Sequence, residues 1–130
     1  MVEATATGEF EVQLTPSGAP DDAAIAGMTI SKTFRGDLDG TSTGRMLAVH
    51  TAVNGSAGYV AMERVRARLG GRDGSFALQH SGTMTRGEQG LSVTVVPDSG
   101  TDELAGLSGA MAIRIENGRH FYSFRYTLPQ

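Results

Sequence analysis

The sequence predicts an all-β fold: an antiparallel, closed β-barrel of about eight strands. Three observations lead there. Apolar and polar residues alternate with period two over most of the chain. Turn residues divide that pattern into segments of about ten residues. Glycine fills 18 of 130 positions, about twice the usual ~7 %, with no collagen repeat. A chain of this length forms one domain, residues 1–130, able to bury a core without disulfides or metal.

The first segment carries Phe10, Val12 and Leu14 on one face and Glu9, Glu11 and Gln13 on the other. A proline-marked loop follows from Thr15 to Gly27, where Pro20-Asp21-Asp22 suits one short helical turn, with helix limited to about Asp21 to Ala26. Met28, Ile30 and Phe34 then alternate with Thr29, Ser31, Thr33 and Arg35. A third segment, Leu38 to Thr51, ends at the hairpin signal Asn54-Gly55. Tyr59 to Leu69 is ambiguous. Its composition favours a helix capped by Gly70-Gly71, yet Tyr59, Ala61, Val65, Ala67 and Leu69 share a strand face against Arg64, Arg66 and Arg68. The strand is preferred. Arg72-Asp73-Gly74 reads as a tight turn into Phe76, Leu78, His80 and Met84. Leu91, Val93 and Val95 continue the alternation up to Pro97 and a turn-rich stretch. Met111, Ile113 and Ile115 follow, then Asn117-Gly118, which suits a type I′ turn, and a last strand with His120, Tyr122, Phe124, Tyr126 and Leu128. An open sheet of eight strands leaves two exposed edges, whereas closure leaves none.

Composition removes several classes of function. There is no cysteine, which excludes thiolate catalysis and iron–sulfur clusters. The net charge of −3 argues against a nucleic-acid partner. No apolar run approaches the ~20 residues of a membrane helix, so no membrane partner is expected. The opening MVEATATGEF has neither a basic nor an apolar signal region, which points to a cytoplasmic protein. GTSTG and SGTDELAGLSG are glycine-rich but lack a Walker lysine, and no cofactor is expected. Asp37 and Asp39 lack the remainder of a calcium loop, and His50, His80 and His120 are too dispersed to make zinc the preferred reading, so no metal is expected. Gly40, Ser42 and Gly44 alternate on one face, which signals close approach of a neighbouring strand or a ligand.

Four stretches, KTFRGDLDGTSTGRML, TAVNGSAGYVAMERV, GRDGSFALQHSGTM and VVPDSGTDELAGLSG, together with the closing IENGRHFYSFRYTLP, span nearly the whole chain. They resemble a family of small bacterial domains of unknown function whose barrel is similar to allene oxide cyclase and dirigent proteins. The resemblance implies an antiparallel barrel of about eight strands, usually in a homo-oligomer, and brings no established reaction. Cyclases and isomerases with this barrel fold a hydrophobic substrate in a cavity, which is an analogy of fold alone.

Glu63 is the anomaly. It shares a face with Tyr59, Ala61, Val65, Ala67 and Leu69, so the strand reading points it into the barrel, where an unpartnered carboxylate is not tolerated. A turn at Gly71 to Gly74 sets His80 opposite Val65 and diagonal to Glu63. Counting about Asn54-Gly55 pairs His50 with Tyr59 and Met46 with Glu63. The candidate ligand-binding residues are therefore Glu63, His80, Tyr59, His50, Tyr122 and Tyr126. In an apolar cavity, desolvation is expected to raise the Glu63 pKa.

The leading functional reading is a barrel that binds a small hydrophobic or amphipathic molecule, its polar group read by Glu63 and His80. The rival is a cyclase or isomerase using the same residues. The third is a filled structural or assembly barrel without ligand, in which Glu63 is a structural carboxylate. The same alternation turns Leu47, Val49, Val60 and Met62 outward, rimmed by Arg64, Arg66 and Arg68, and so predicts a homo-oligomer, a dimer before a ring.

Overall fold

A computed structural model describes residues 1–17 and 25–129. Eight strands run in chain order: β1 Val2–Pro16, β2 Ala26–Gly36, β3 Leu38–His50, β4 Ala57–Leu69, β5 Arg72–Thr85, β6 Glu88–Val95, β7 Ser108–Glu116 and β8 Arg119–Leu128. Each pairs antiparallel with the next, and β1 pairs with β8 from Val2↔Leu128 to Phe10↔His120, which closes the barrel. The expected helical turn at Pro20-Asp21-Asp22 lies outside the described residues.

Tyr59 to Leu69 is strand, as the alternation indicates, because the barrel interior takes Ala61, Glu63, Val65, Ala67 and Leu69, every one of them buried. The turn after it corrects the expected one. Gly70 and Gly71, both at positive φ, make a two-residue turn, and Arg72 already pairs with Leu69. Two adjacent glycines supply two left-handed positions at no steric cost, which Arg72 and Asp73 do not. The β4–β5 register shifts accordingly: His80 faces Ala61 instead of Val65, and Glu63 faces Leu78. Between β3 and β4 the pairs are His50↔Ala57 and Gly44↔Glu63 instead of the expected His50–Tyr59 and Met46–Glu63. Both corrections are even-numbered, so no side chain changes face.

The two ends of the barrel differ. One end holds the turns at Gly36-Asp37 and Gly70-Gly71 and the β6–β7 connection. It is packed solid by Phe34, Leu38, Leu69, Phe76, Phe124 and Tyr126. Fully burying side chains of this size contributes about 1.5–3 kcal/mol each. The turn-rich stretch after Pro97 becomes the plug of this end. It carries the only helical element among the described residues, a 3₁₀ turn at Asp102–Leu104, and buries Leu104 and Leu107. Its backbone also completes β5 where β6 has ended: Val96 N–H donates to the Ala77 carbonyl (2.9 Å) and Thr101 N–H to that of Ser75 (2.8 Å). A strand edge that would otherwise lie unpaired is thereby satisfied.

Tyr122 locks the same end. Its hydroxyl accepts from Leu38 N–H at 2.9 Å and faces the carbonyls of Arg35 (2.9 Å) and Leu38 (3.1 Å), so β8 holds the β2–β3 turn. Outside, Leu47, Val49, Val60 and Met62 are exposed as expected. No helix among the described residues is long and apolar enough to cross a membrane.

Tyr122→Phe keeps the ring and strands the Leu38 N–H. We expect a loss of about 1–3 kcal/mol, read as a lower denaturant midpoint with an unchanged slope.

Candidate functional site

The opposite end is not filled. A cavity of about 460 Å³ opens there, walled by side chains such as Val12, Met28, Ile30, Met46, Ala48 and Ile113. The space exists because the inward positions of β4 and β5 are small: Ala57, Ala61 and Gly82 stand where the filled end has phenylalanine and leucine. The wall is also interrupted. β6 and β7 share a single residue pair, Thr94↔Ala110, and beyond it Leu91 and Ile115 line the cavity while exposed to solvent.

The floor is polar. The Glu63 carboxylate is 2 % exposed and accepts from three side chains. The ammonium of Lys32 lies 3.2 Å from Oε1 and 3.1 Å from Oε2, the Ser42 hydroxyl 3.1 Å from Oε2, and His80 Nε2 3.2 Å from Oε1. An ionised carboxylate has no proton to give, so His80 Nε2 is the donor. No side-chain polar atom buried among the described residues lacks a partner.

Local sequence builds this cluster. Lys32 in β2 pairs with Ser42 in β3, and Gly44 in β3 pairs with Glu63 in β4, so the lysine reaches across two small residues to a carboxylate two strands away. Close approach of β4 requires the glycine, since a Cβ on Gly44 would meet the Glu63 Cβ at 2.7 Å and the Met62 carbonyl at 2.3 Å. The partner that approaches Gly40 and Gly44 is therefore the neighbouring strand. Above the floor, the Tyr59 ring covers Gly82, where a Cβ would lie 2.2 Å from the ring, and stands 6.4 Å between centroids from His80.

Of the six candidates, the structure brings Glu63, His80 and Tyr59 together and leaves His50 exposed at the cavity mouth. Tyr122 and Tyr126 belong to the filled end and do not line the cavity. Three contributors were missed. Ser42 enters the sequence reading only as part of a small-residue face, and His120, tilted against Phe10 at 5.1 Å, only as a strand residue and a zinc candidate set aside. Lys32 was passed over although it shares its face with Met28, Ile30 and Phe34. A lysine in register with three apolar residues was the available signal.

His80 and Lys32 together overturn the expected pKa direction. Burial does push the Glu63 carboxyl up, but the His80 hydrogen bond and the Lys32 charge outweigh it and hold it below its ordinary 4.5. The Tyr59 phenol is pushed up by burial and by the Glu63 charge. His50, His80 and His120 all line the cavity, yet among the described residues no three His, Cys, Asp or Glu side chains group as a metal set.

Fold and site together define a half-filled eight-stranded barrel with a buried ion pair at the floor of an apolar cavity. The chain belongs to the DUF3224 family, described as proteins of unknown function, which matches residues 6–126. It is similar over 99 % of both chains, at 49 % identity and a TM-score of 0.93, to the crystal structure of a DUF3224 protein of unknown function from Shewanella oneidensis MR-1. No curated protein matches. The family of unknown function and the closed eight-stranded antiparallel barrel thus hold.

Removing one partner of a buried pair leaves the other uncompensated. We expect Glu63→Gln to cost about 3–5 kcal/mol, and the double variant Lys32→Met with Glu63→Gln to recover most of it. Because the folded-state pKa of Glu63 is depressed, its contribution is complete above the ordinary value of 4.5 and is lost as pH falls through the folded value. The denaturant midpoint of the wild type should therefore fall more steeply on acidification than that of the double variant.

Proposed function

We propose that this protein binds a small hydrophobic or amphipathic molecule in the open half of the barrel. The observation that carries the reading is the combination of an apolar, solvent-connected cavity of about 460 Å³ with one polar cluster at its floor. That is the form of a small-molecule site, mostly apolar with a few placed polar groups. The roles at the floor divide differently from the sequence reading. Glu63 is saturated by three donors and lies behind the lining, whereas Lys32 and His80 both line the cavity. A ligand's polar group therefore meets Lys32 and His80, with Glu63 holding both in place.

The cyclase or isomerase alternative is less well supported. An acid catalyst at neutral pH needs a carboxyl whose pKa is raised, and Glu63 is held down.

The reading is tested by thermal unfolding with decanol, which has an apolar chain and a neutral polar end. A ligand at one hundred times its Kd stabilises by about 2.7 kcal/mol. We expect a concentration-dependent rise in Tm. Ala48→Phe, which fills the cavity from β3, should fold and lose that rise. An equal rise in both proteins would place the alcohol elsewhere.

We also infer that a second copy of this chain covers the face formed by Leu47, Val49, Val60 and Met62, each 39–55 % exposed. Four adjacent apolar side chains with Arg45 and Arg64 beside them suit an isologous contact. Light scattering at micromolar concentration should return twice the monomer mass, and Met62→Glu should halve it. A monomeric wild type would overturn the inference.

A further inference from the structure

We propose that Lys32 is an attachment point for a carbonyl ligand, an aldehyde or ketone with an apolar body, held as an iminium with Glu63 as its counter-ion. The inference rests on the cavity being a ligand site and goes further, naming the reactive atom and the ligand class.

The first observation is a choice of residue. Lys32 is the single lysine of the chain, and the other ten of its 11 basic residues are arginine. None of the arginines is buried, while Lys32 is 6 % exposed. If the floor needed only a cation for Glu63, arginine would serve better, because its planar fork pairs bidentately with a carboxylate. What arginine lacks is an amine that can give up its proton and attack a carbonyl carbon.

The second observation is placement. The Lys32 side chain lines the cavity, with Nζ 4.8 Å from the Phe10 ring centroid and 3.1 Å from Glu63 Oε2. The nucleophile thus sits at the far end of an apolar chamber, where a long ligand's terminal group would arrive. His80, joined to the same Glu63 oxygen as Lys32, extends the hydrogen-bonded path that a proton needs.

The third argument is charge. A carboxylate ligand would add a second anion beside Glu63 with one ammonium between them, in surroundings where like charges disfavour each other strongly. A carbonyl compound arrives neutral. The Lys32 ammonium passes a proton to the carbonyl oxygen, and the amine attacks the carbonyl carbon, opening the C=O double bond and forming the C–N bond of a carbinolamine. A second nitrogen proton moves to the hydroxyl, which leaves as water as the nitrogen lone pair forms the C=N bond. The sum is ammonium plus carbonyl giving iminium plus water. Nothing is oxidised or reduced, and the single positive charge opposite Glu63 is the same before and after.

The test uses the full chain with decanal and sodium cyanoborohydride, which reduces an iminium to a stable alkylamine. The chain offers two primary amines, Lys32 and the N-terminus, so fragmentation of the alkylated protein locates the adduct without any variant. An α-amino group is the better target for an aldehyde in free solution, since such groups lose their proton at lower pH than lysine. Capture in the cavity should reverse that order, putting one decyl group on Lys32 in about tenfold preference over the N-terminus, from the effective concentration of a bound aldehyde. Excess decanol should suppress the adduct. Lys32→Arg should give no alkylation at position 32. Alkylation at the N-terminus alone, while decanol still raises Tm, would overturn the inference and leave the binding reading standing. Lys32 alkylation that decanol does not suppress would also overturn it, as solvent chemistry on an accessible amine. No alkylation at Lys32 together with no decanol effect would remove both.

Discussion

A closed ring of strands gives every residue two options, inward or outward, and fixes the choice once per strand. Parity is the constraint on which the rest of this molecule depends. With β1 and β8 joined, the one edge left among the described strands lies between β6 and β7 beyond Thr94↔Ala110, away from β2 and β4. Phe34, Ile30 and Met28 turn inward because they are apolar, and Lys32 goes with them because it lies between them. The same holds for Glu63 between Ala61 and Val65. Two charges forced inside must meet or be expelled, and small residues on β3 let them meet.

The division of the barrel into a solid half and a hollow half is a matter of side-chain size along the axis. Rings accumulate at one end, where Phe76 stacks on Phe124 and Phe124 leans on Tyr126. At the other, Ala57, Ala61 and Gly82 interrupt the larger inward side chains of β4 and β5, Tyr59, His80 and Met84. An eight-stranded barrel is just wide enough to be filled by its own side chains, so shortening them at one end leaves room for a ligand. The ion pair stands at the boundary, with packed core beneath and cavity above.

Much of this was legible in the sequence. Glu63 and His80 were placed on one interior face and as diagonal neighbours, although both hairpin registers used to place them were displaced. The conclusion survived because each displacement was even, and because His80 flanks Glu63 whether it faces Val65 or Ala61. The tyrosines show the limit of the argument. Tyr122 and Tyr126 do point inward, but parity says nothing about depth along the axis, and they lie in the filled end. Lys32 was hidden for a different reason. A strand is recognised by its apolar residues, and reading the pattern through Met28, Ile30 and Phe34 passes silently over the charge in register with them. Its contact with Glu63 also spans β3, so no single hairpin count reveals it.

Stability alone does not account for the pair at the floor. A buried ion pair gives up the hydration of two charges for one interaction, and well-packed apolar residues of similar volume are commonly as stable or more so. Here the surroundings are already apolar: Phe10 and Phe34 flank the lysine, and Val65 and Leu78 adjoin the glutamate. Replacing both charges would extend that core, although Ser42 and His80 would lose the carboxylate oxygens they donate to. The pair does something the apolar alternative cannot. It holds an ammonium and an imidazole against the cavity while keeping the balancing carboxylate out of contact with whatever enters. Among the described residues Lys32 pairs with the two oxygens of Glu63. Its ammonium also lies 4.8 Å from the Phe10 ring centroid and its side chain lines the cavity, a placement that pairing with Glu63 alone does not require.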